Sequence, residues 1–270
     1  MPPLWHDRNR LFHQKTGIYR CAEKGCRADF SVTVGTVFER SKIALHKWLL
    51  ASFLICSSKK GMSSHQLHRV LGVTYKTAWF MTHRLREAMN TAHDGQLGND
   101  GGIVEADETY WGNKKKYGKY KTGVGDKMKI VSLVEREGKV RSFHVPAVTG
   151  KTLKPILDKH IAKDANLMTD ESKVYVKIGK GFASHETVQH SRGEYARGDV
   201  TMNTVEGYFS ILKRGLIGTF HHVGEQHLHR HVKEFDFRYN HRAALGVSDT
   251  ERTTAALRGI KGKWLMYRHS

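Results

Sequence analysis

The chain has 270 residues, with 45 Lys and Arg against 26 Asp and Glu, leaving a net charge of +19. It contains no run of 18 apolar residues, so no transmembrane helix is expected, and its three cysteines are too few for a disulfide framework. A charge this large repels itself unless an anion screens it. Nucleic acid is the usual partner, an acidic membrane surface the weaker one, and a merely soluble basic protein the plain alternative.

The N-terminus "MPPLWHDRNR" has no apolar stretch of the secretory kind, and together with the cysteine usage this predicts a reducing, cytoplasmic compartment. Residues 1–40 are short and irregular. Within them "GIYRCAEKGCRADFSVTVGTVF" alternates aromatics and Cys with turn residues, as a small β-ribbon does. Residues 42–57 read as a helix, with Leu45, Trp48, Leu49, Ser52, Phe53 and Cys56 at three- and four-residue steps as its apolar face.

The segment "GMSSHQLHRVLGVTYKTAWFMTHRLREAM" predicts two helices around a tight turn at "LGV". Ser63 with Gln66 reads as a capping box for the first, and Thr74 can cap the second. Ala78, Met81, Leu85 and Met89 form the buried stripe of the second helix, leaving Tyr75, Lys76, Thr77, His83, Arg84 and Arg86 largely outward. That is a helix-turn-helix pattern with a basic second helix suited to a major groove, giving Lys76, Thr77, Arg84 and Arg86 as candidate DNA contacts. The alternative is an ordinary αα-hairpin.

The polar, Gly-rich segment at 91–102 is the main linker. Beyond it strands are expected at about 102–111, 127–135 and 138–147, a helix at about 150–162, and a short strand at 165–169. Residues 172–200 are ambiguous, with "SHETVQH" a plausible strand, and helices follow at about 202–214 and 225–241. Three hairpin-like strands followed by alternating helix and strand give an α/β class, a mixed sheet with helices packed on it.

Three acids stand out on these elements: Asp107 in "VEADETYWG", Asp170 in "ANLMTDES" and Glu206 in "NTVEGYFSILKRG". In a strand Glu105, Asp107 and Thr109 share one face. A buried carboxylate needs a partner, either a metal or a neighbouring lysine. Asp170 falls at a strand end, where sheets of this class usually place their sites. On a helix turning about 100° per residue, Val205, Tyr208, Phe209 and Leu212 form one face. Asn203, Glu206, Ser210 and Lys213 form a neighbouring one, which is either simply solvated or part of a site with the two aspartates. Hard oxygen ligands of this kind suit Mg²⁺ and phosphodiester chemistry.

These stretches, together with "FSVTVGTVFERSKIALHKWLLA" (30–51), "LGVTYKTAWFMTHRLREAM" (71–89), "NTVEGYFSILKRGLIGTFHHV" (203–223) and "HLHRHVKEFDFRYNHR" (227–242), resemble insertion-sequence transposases of the DDE superfamily. Within that superfamily the chain looks like the ISXO type, which has a zinc ribbon, a helix-turn-helix and an RNase H-like catalytic domain. The resemblance implies four parts: a partial zinc-ribbon-like segment at 1–40, a helical helix-turn-helix region at 41–92, an RNase H-like catalytic domain at 101–245 and a C-terminal tail at 246–270. It implies that Asp107, Asp170 and Glu206 hold Mg²⁺, or Mn²⁺, for cleavage at element ends and strand transfer, with Lys213 on DNA phosphate. Some members use the Asn at the position of Asn203 instead. Glu206 is preferred because carboxylate is the better Mg²⁺ ligand and 35 residues separate it from Asp170, a spacing common in the superfamily. The implied partners are double-stranded DNA, as terminal inverted repeats and as target, and further copies of the chain; the implied location is the bacterial nucleoid.

The chain departs from the pattern at the ribbon. Cys21 and Cys26 are candidate Zn²⁺ ligands, but two thiols are half a tetrahedral set, and His6 and His13 complete it only at an unfamiliar spacing. Cys56, on an apolar helix face, is expected in the core. The histidines of "TFHHVGEQHLHRH" are expected at the surface, on phosphate, or satisfied in the core; His227 and His231 lie one turn apart but lack a third ligand. "GNKKKYGKYKTG" (112–123) is a basic loop whose Lys114, Lys115 and Lys116 are candidate backbone contacts, as are Lys213 and Arg214. The competing functions are a catalytically inactive, transposase-derived DNA-binding protein and a plain nuclease.

Overall fold

The structure, a computed structural model, describes residues 10–12, 17–90, 95–112, 115–116, 119–120, 127–189 and 196–265. It opens with an antiparallel ribbon of β1 (Arg10–Phe12), β2 (Tyr19–Cys21) and β3 (Asp29–Phe30). Three helices follow: α1 (Leu45–Ser57), α2 (Ser64–Leu71) and α3 (Tyr75–Met89). Gly72 ends α2 at φ 59°, a left-handed value that glycine adopts without steric cost. Thr74 Oγ1 caps α3 by accepting from Thr77 N. At α2 only half of the expected box forms. Ser63 Oγ accepts from Gln66 N, and no reciprocal bond is made.

The apolar face expected on α1 is only half right. Trp48, Ser52 and Cys56 are buried, but with Ala51 and Ile55, while Leu45, Leu49 and Phe53 stay exposed. Both sides of α1 are apolar, so periodicity in the sequence could not say which side packs.

The second half is built on β4 (Ile103–Trp111), a two-residue ladder of β5 (Lys115–Lys116) and β6 (Lys119–Tyr120), then β7 (Met128–Glu135) and β8 (Val140–Val145). Next come α4 (Gly150–His160), β9 (Asn166–Asp170), α5 (Lys173–Gly179) and β10 (Ser184–Val188). The small pair β11 (Ala196–Arg197) and β12 (Val200–Thr201) leads into α6 (Asn203–Gly215) and α7 (Glu225–Asn240). The α5 helix lies in the stretch whose sequence was ambiguous.

The main sheet has the order β10-β9-β4-β7-β8. The pairs β4·β7 and β7·β8 are antiparallel, whereas β9 runs parallel to both β4 and β10. This is the expected mixed α/β sheet. Alternation along the strands divides its side chains between two cores. Val104, Ala106, Val131, Leu133 and Leu167 pack with Leu153 and Leu157 of α4 and Tyr175 of α5. Ile130, Val134 and Met168 pack with Val205, Tyr208 and Leu212 of α6 and Val232 and Phe235 of α7.

The tail expected at 246–270 contains a helix, α8 (Asp249–Arg258). It starts at a full capping box between Ser248 and Glu251. It packs on α1, and the chain beyond it bonds back to the N-terminal part, Val37 N donating to Ile260 O and Gly262 N to Gly35 O. Ala256 of α8 and Phe237 of α7 both sit in the core of α1–α3, so that core draws on three separated stretches of chain.

Candidate active site

The β4–β9 register places the acids. Ala106 pairs with Thr169, so the next step along these parallel strands sets Asp107 beside Asp170. Both continue the rows of Glu105 and Met168, on the face that α6 covers. The angular reading of α6 holds: Val205, Tyr208, Phe209 and Leu212 are buried, whereas Asn203, Glu206, Ser210 and Lys213 are exposed. Glu206 lies in the first turn of α6, immediately after Val205, whose amide is fixed to β4 by the Glu105 carboxylate at 2.9 Å.

The charges of Asp170 and Glu206 both act on Asp107. Burial pushes the Asp107 carboxyl up to about 7; a bond from the Glu108 amide to Oδ1 (2.7 Å) opposes this, and the charges of Glu108, Asp170 and Glu206 add to it. Glu108, on the opposite face of β4, is also raised, mainly by burial, and accepts from Tyr175 Oη at 2.8 Å. Asp170 Oδ1 accepts from Ser172 N at 3.1 Å, a local turn that sends the chain into α5. A half-buried carboxylate held among like charges calls for a cation, and oxygen donors are what Mg²⁺ prefers. Among the described residues, however, no three His, Cys, Asp or Glu side chains stand close enough to hold one metal ion. The donor chemistry fits; a closed ligand sphere is not formed.

The basic residues separate into two kinds. Lys76 is exposed and Thr77 partly buried at the start of α3, and Lys213 and Arg214 are exposed on α6. Arg84 and Arg86 do not face outward. They are 6% and 3% exposed and are used internally. Arg84 Nη1 donates to the Val37 and Glu39 carbonyls, and Arg86 Nε to Glu234 Oε2 at 2.6 Å. Glu234, fully buried, also accepts from Arg238 at 2.7 Å, so a charged triad ties α3 to α7. His83 is buried as well, and burial holds its imidazole far below the usual range. The sequence could not reveal these partners, because they are distant along the chain: Val37 and Glu39 lie 47 and 45 residues before Arg84, and Glu234 lies 148 residues after Arg86. Lys115 and Lys116 occupy β5; Lys114, His6 and His13 lie outside the described residues.

Cys21, buried, and Cys26, exposed, are free thiols, and among the described residues nothing completes a metal set around them. Cys56 is in the core as expected, its thiol pushed up to about 12 by burial. His227 and His231 meet His83 at the α3–α7 seam, at ring separations of 4.7 and 5.8 Å, beside Trp79 and Phe220.

A mixed α/β domain with an acid within β4, a second ending β9 and α6 laid over the same face defines the class, and comparison with known proteins gives the family. Residues 100–240, just over half the chain, match the ISXO2-like transposase domain, and the chain belongs to that family of DDE-type insertion-sequence transposases. It is 29% identical over 214 residues to an uncharacterized protein in transposable element ISH50 of Halobacterium salinarum, covering 73% of this chain and 70% of that one. It is 28% identical over 102 residues to an uncharacterized transposase-like protein of Haemophilus influenzae, covering 38% of this chain and 81% of the relative. A chain in the cryo-EM structure of a simian T-cell lymphotropic virus intasome in complex with PP2A regulatory subunit B56 gamma aligns at TM-score 0.32 and 15% identity. The alignment covers 69% of this chain and 66% of that one, a likeness too slight to carry an argument.

Proposed function

We propose that this protein is a DNA transposase that cleaves the ends of its insertion sequence and joins them to target DNA. The observation that carries the reading is the side-by-side placement of Asp107 and Asp170 on parallel strands, with Glu206 on the helix laid over the same face. The sheet, an antiparallel β8-β7-β4 meander extended by parallel β9 and β10, is read as RNase H-like. Asp107, Asp170 and Glu206 would hold Mg²⁺ or Mn²⁺, which would polarise the phosphate and lower the pKa of the attacking water or 3′-hydroxyl. Asn203, one turn before Glu206 on the same exposed face, is the alternative third group.

The chain's own residues supply the rest. Lys213, seven positions after Glu206 on that face, is set to meet phosphate near the scissile bond. Lys76 and Thr77 at the start of α3, with Lys114, Lys115, Lys116 and Arg214, make up the proposed DNA-contacting set; Arg84 and Arg86 leave it because they are committed internally. The division of labour is a ribbon-like segment at 1–40, whose Cys21 and Cys26 are candidate Zn²⁺ ligands, a helix-turn-helix region at 41–92 and a catalytic domain at 101–245, with α8 returning to the helical region. Action on two DNA ends implies assembly of more than one copy, in the bacterial cytoplasm at the nucleoid.

The test is incubation of the protein with labelled terminal-repeat DNA and Mg²⁺ or Mn²⁺, followed by detection of nicked and joined strands. Asp107→Asn should abolish both products and leave DNA binding in place; joining by that variant would sink the assignment. A DNA-binding derivative without catalysis is the second reading, favoured by the lack of a closed three-ligand group among the described residues. Specific binding with no metal-dependent product would select it.

A further inference from the structure

Glu105 is fully buried, and the sequence pattern assigned it nothing beyond a shared face with Asp107. A carboxylate in that position is costly unless every oxygen is partnered, and an apolar pair of the same size would give comparable stability. Its two oxygens hold two different parts of the fold. Oε2 accepts from the Val205 amide at 2.9 Å, in the first turn of α6. That amide is among those a helix leaves without an internal partner, and Met202 supplies no side-chain cap. Oε1 accepts from Arg136 Nε at 2.9 Å. Arg136 Nη2 then reaches Thr201 Oγ1 at 2.8 Å, the Thr201 carbonyl at 3.1 Å and Met168 Sδ at 3.2 Å.

Each anchor of this network adjoins one of the three acids. Glu105 is two residues before Asp107 on β4, Met168 two before Asp170 on β9, and Val205 immediately before Glu206 on α6. Alternation in the strands puts Glu105 on the same face as Asp107 and Met168 on the same face as Asp170, while Val205 is the buried residue next to Glu206 in the first turn of α6. The negative charge also meets the positive end of α6, where it is favourable.

We infer that Glu105, clamped by Arg136, is the positioning residue that fixes Glu206 against Asp107 and Asp170. This rests on the proposed role of the three acids. Removal of the clamp frees the N-terminus of α6 to shift relative to both strands, which weakens metal capture more than it weakens the fold.

The test measures Mn²⁺ binding to the full chain without DNA, by calorimetry or paramagnetic resonance, with melting and amide exchange at Val205 recorded in parallel. Glu105→Gln keeps the size and one acceptor but loses the charge. The expected result is a variant that melts cooperatively, exchanges the Val205 amide faster, and binds Mn²⁺ about tenfold more weakly, the usual scale for a carboxylate that orients metal ligands. In the cleavage assay the loss should appear in the Mg²⁺ concentration needed, with the rate largely restored at saturation. Should Glu105→Gln not fold, Arg136→Lys carries the same comparison, keeping a cation beside Glu105 but losing the fork to Thr201 and Met168. A folded variant with parental Mn²⁺ affinity overturns the clamp while leaving the acids in place. A parent chain that binds Mn²⁺ no better than Asp107→Asn overturns the metal reading, and the clamp with it.

Discussion

Asp107 gives the sharpest residue-scale prediction. In the unfolded chain its carboxyl ionises near the ordinary value; in the fold burial, reinforced by the neighbouring acids, moves it to about 7. Between these values the folded state holds a proton that the unfolded chain has lost, so stability falls as pH rises through that window, and the penalty is complete above it. Asp107→Asn removes the penalty. Without divalent metal the variant should be more stable than the parent at pH 8, on the order of 2 kcal/mol once water at this half-buried position is allowed for, with no gain near pH 4. Urea titrations at the two pH values decide it, and an equal difference at both would remove the argument. What was legible here was the outward face of α6. What was not legible was Glu105, because its importance lies in what it touches: an amide 100 residues away and an arginine on a strand turn.

At the scale of elements, two junctions join the helical region to the rest. The first is the Arg86–Glu234–Arg238 triad between α3 and α7. Glu234→Ala leaves two buried guanidinium groups without their anion and is expected to cost about 3–5 kcal/mol, seen as a large drop in the urea midpoint. A loss below 1 kcal/mol would mean that water reaches those groups. The second is α8 on α1 and α3. Ser248→Ala removes the capping box and should cost about 1 kcal/mol. Gly259→Ala should cost more than Ser248→Ala, because a Cβ at 259 would stand 2.2 Å from the Ala88 carbonyl oxygen. Equal melting temperatures for Gly259→Ala and the parent would show that this contact yields freely. The helices of the pair α2–α3 were legible from their caps and periodicity, because both are local. Which flank of α3 stays free was not, because Arg84 and Arg86 are charged residues that the fold consumes internally.

For the whole molecule the net charge of +19 bears on the proposed binding to DNA. The affinity should fall steeply with salt, the slope of log K against log salt counting the phosphates neutralised. Lys76→Ala and Lys213→Ala should each reduce that slope by about one, and Arg86→Ala, if folded, should leave it unchanged. Fluorescence anisotropy over a salt series measures all three, and an unchanged slope for both lysine variants would remove those residues from the interface.

Sequence by itself determined the α/β class, most element positions, the buried and exposed faces of α6, and the family, because these depend on short-range periodicity, turn chemistry and motifs within a few residues. It also determined the net charge of the chain, which is a sum over residues and needs no fold. Only the tertiary structure decided that Asp107 and Asp170 lie side by side, that Leu49 and Phe53 face outward while Ala51 and Ile55 pack, and that α8 returns to the N-terminal helices. Each of these is a choice between surfaces of similar composition, and it is made by whichever long-range partner fills the space and satisfies the buried polar groups.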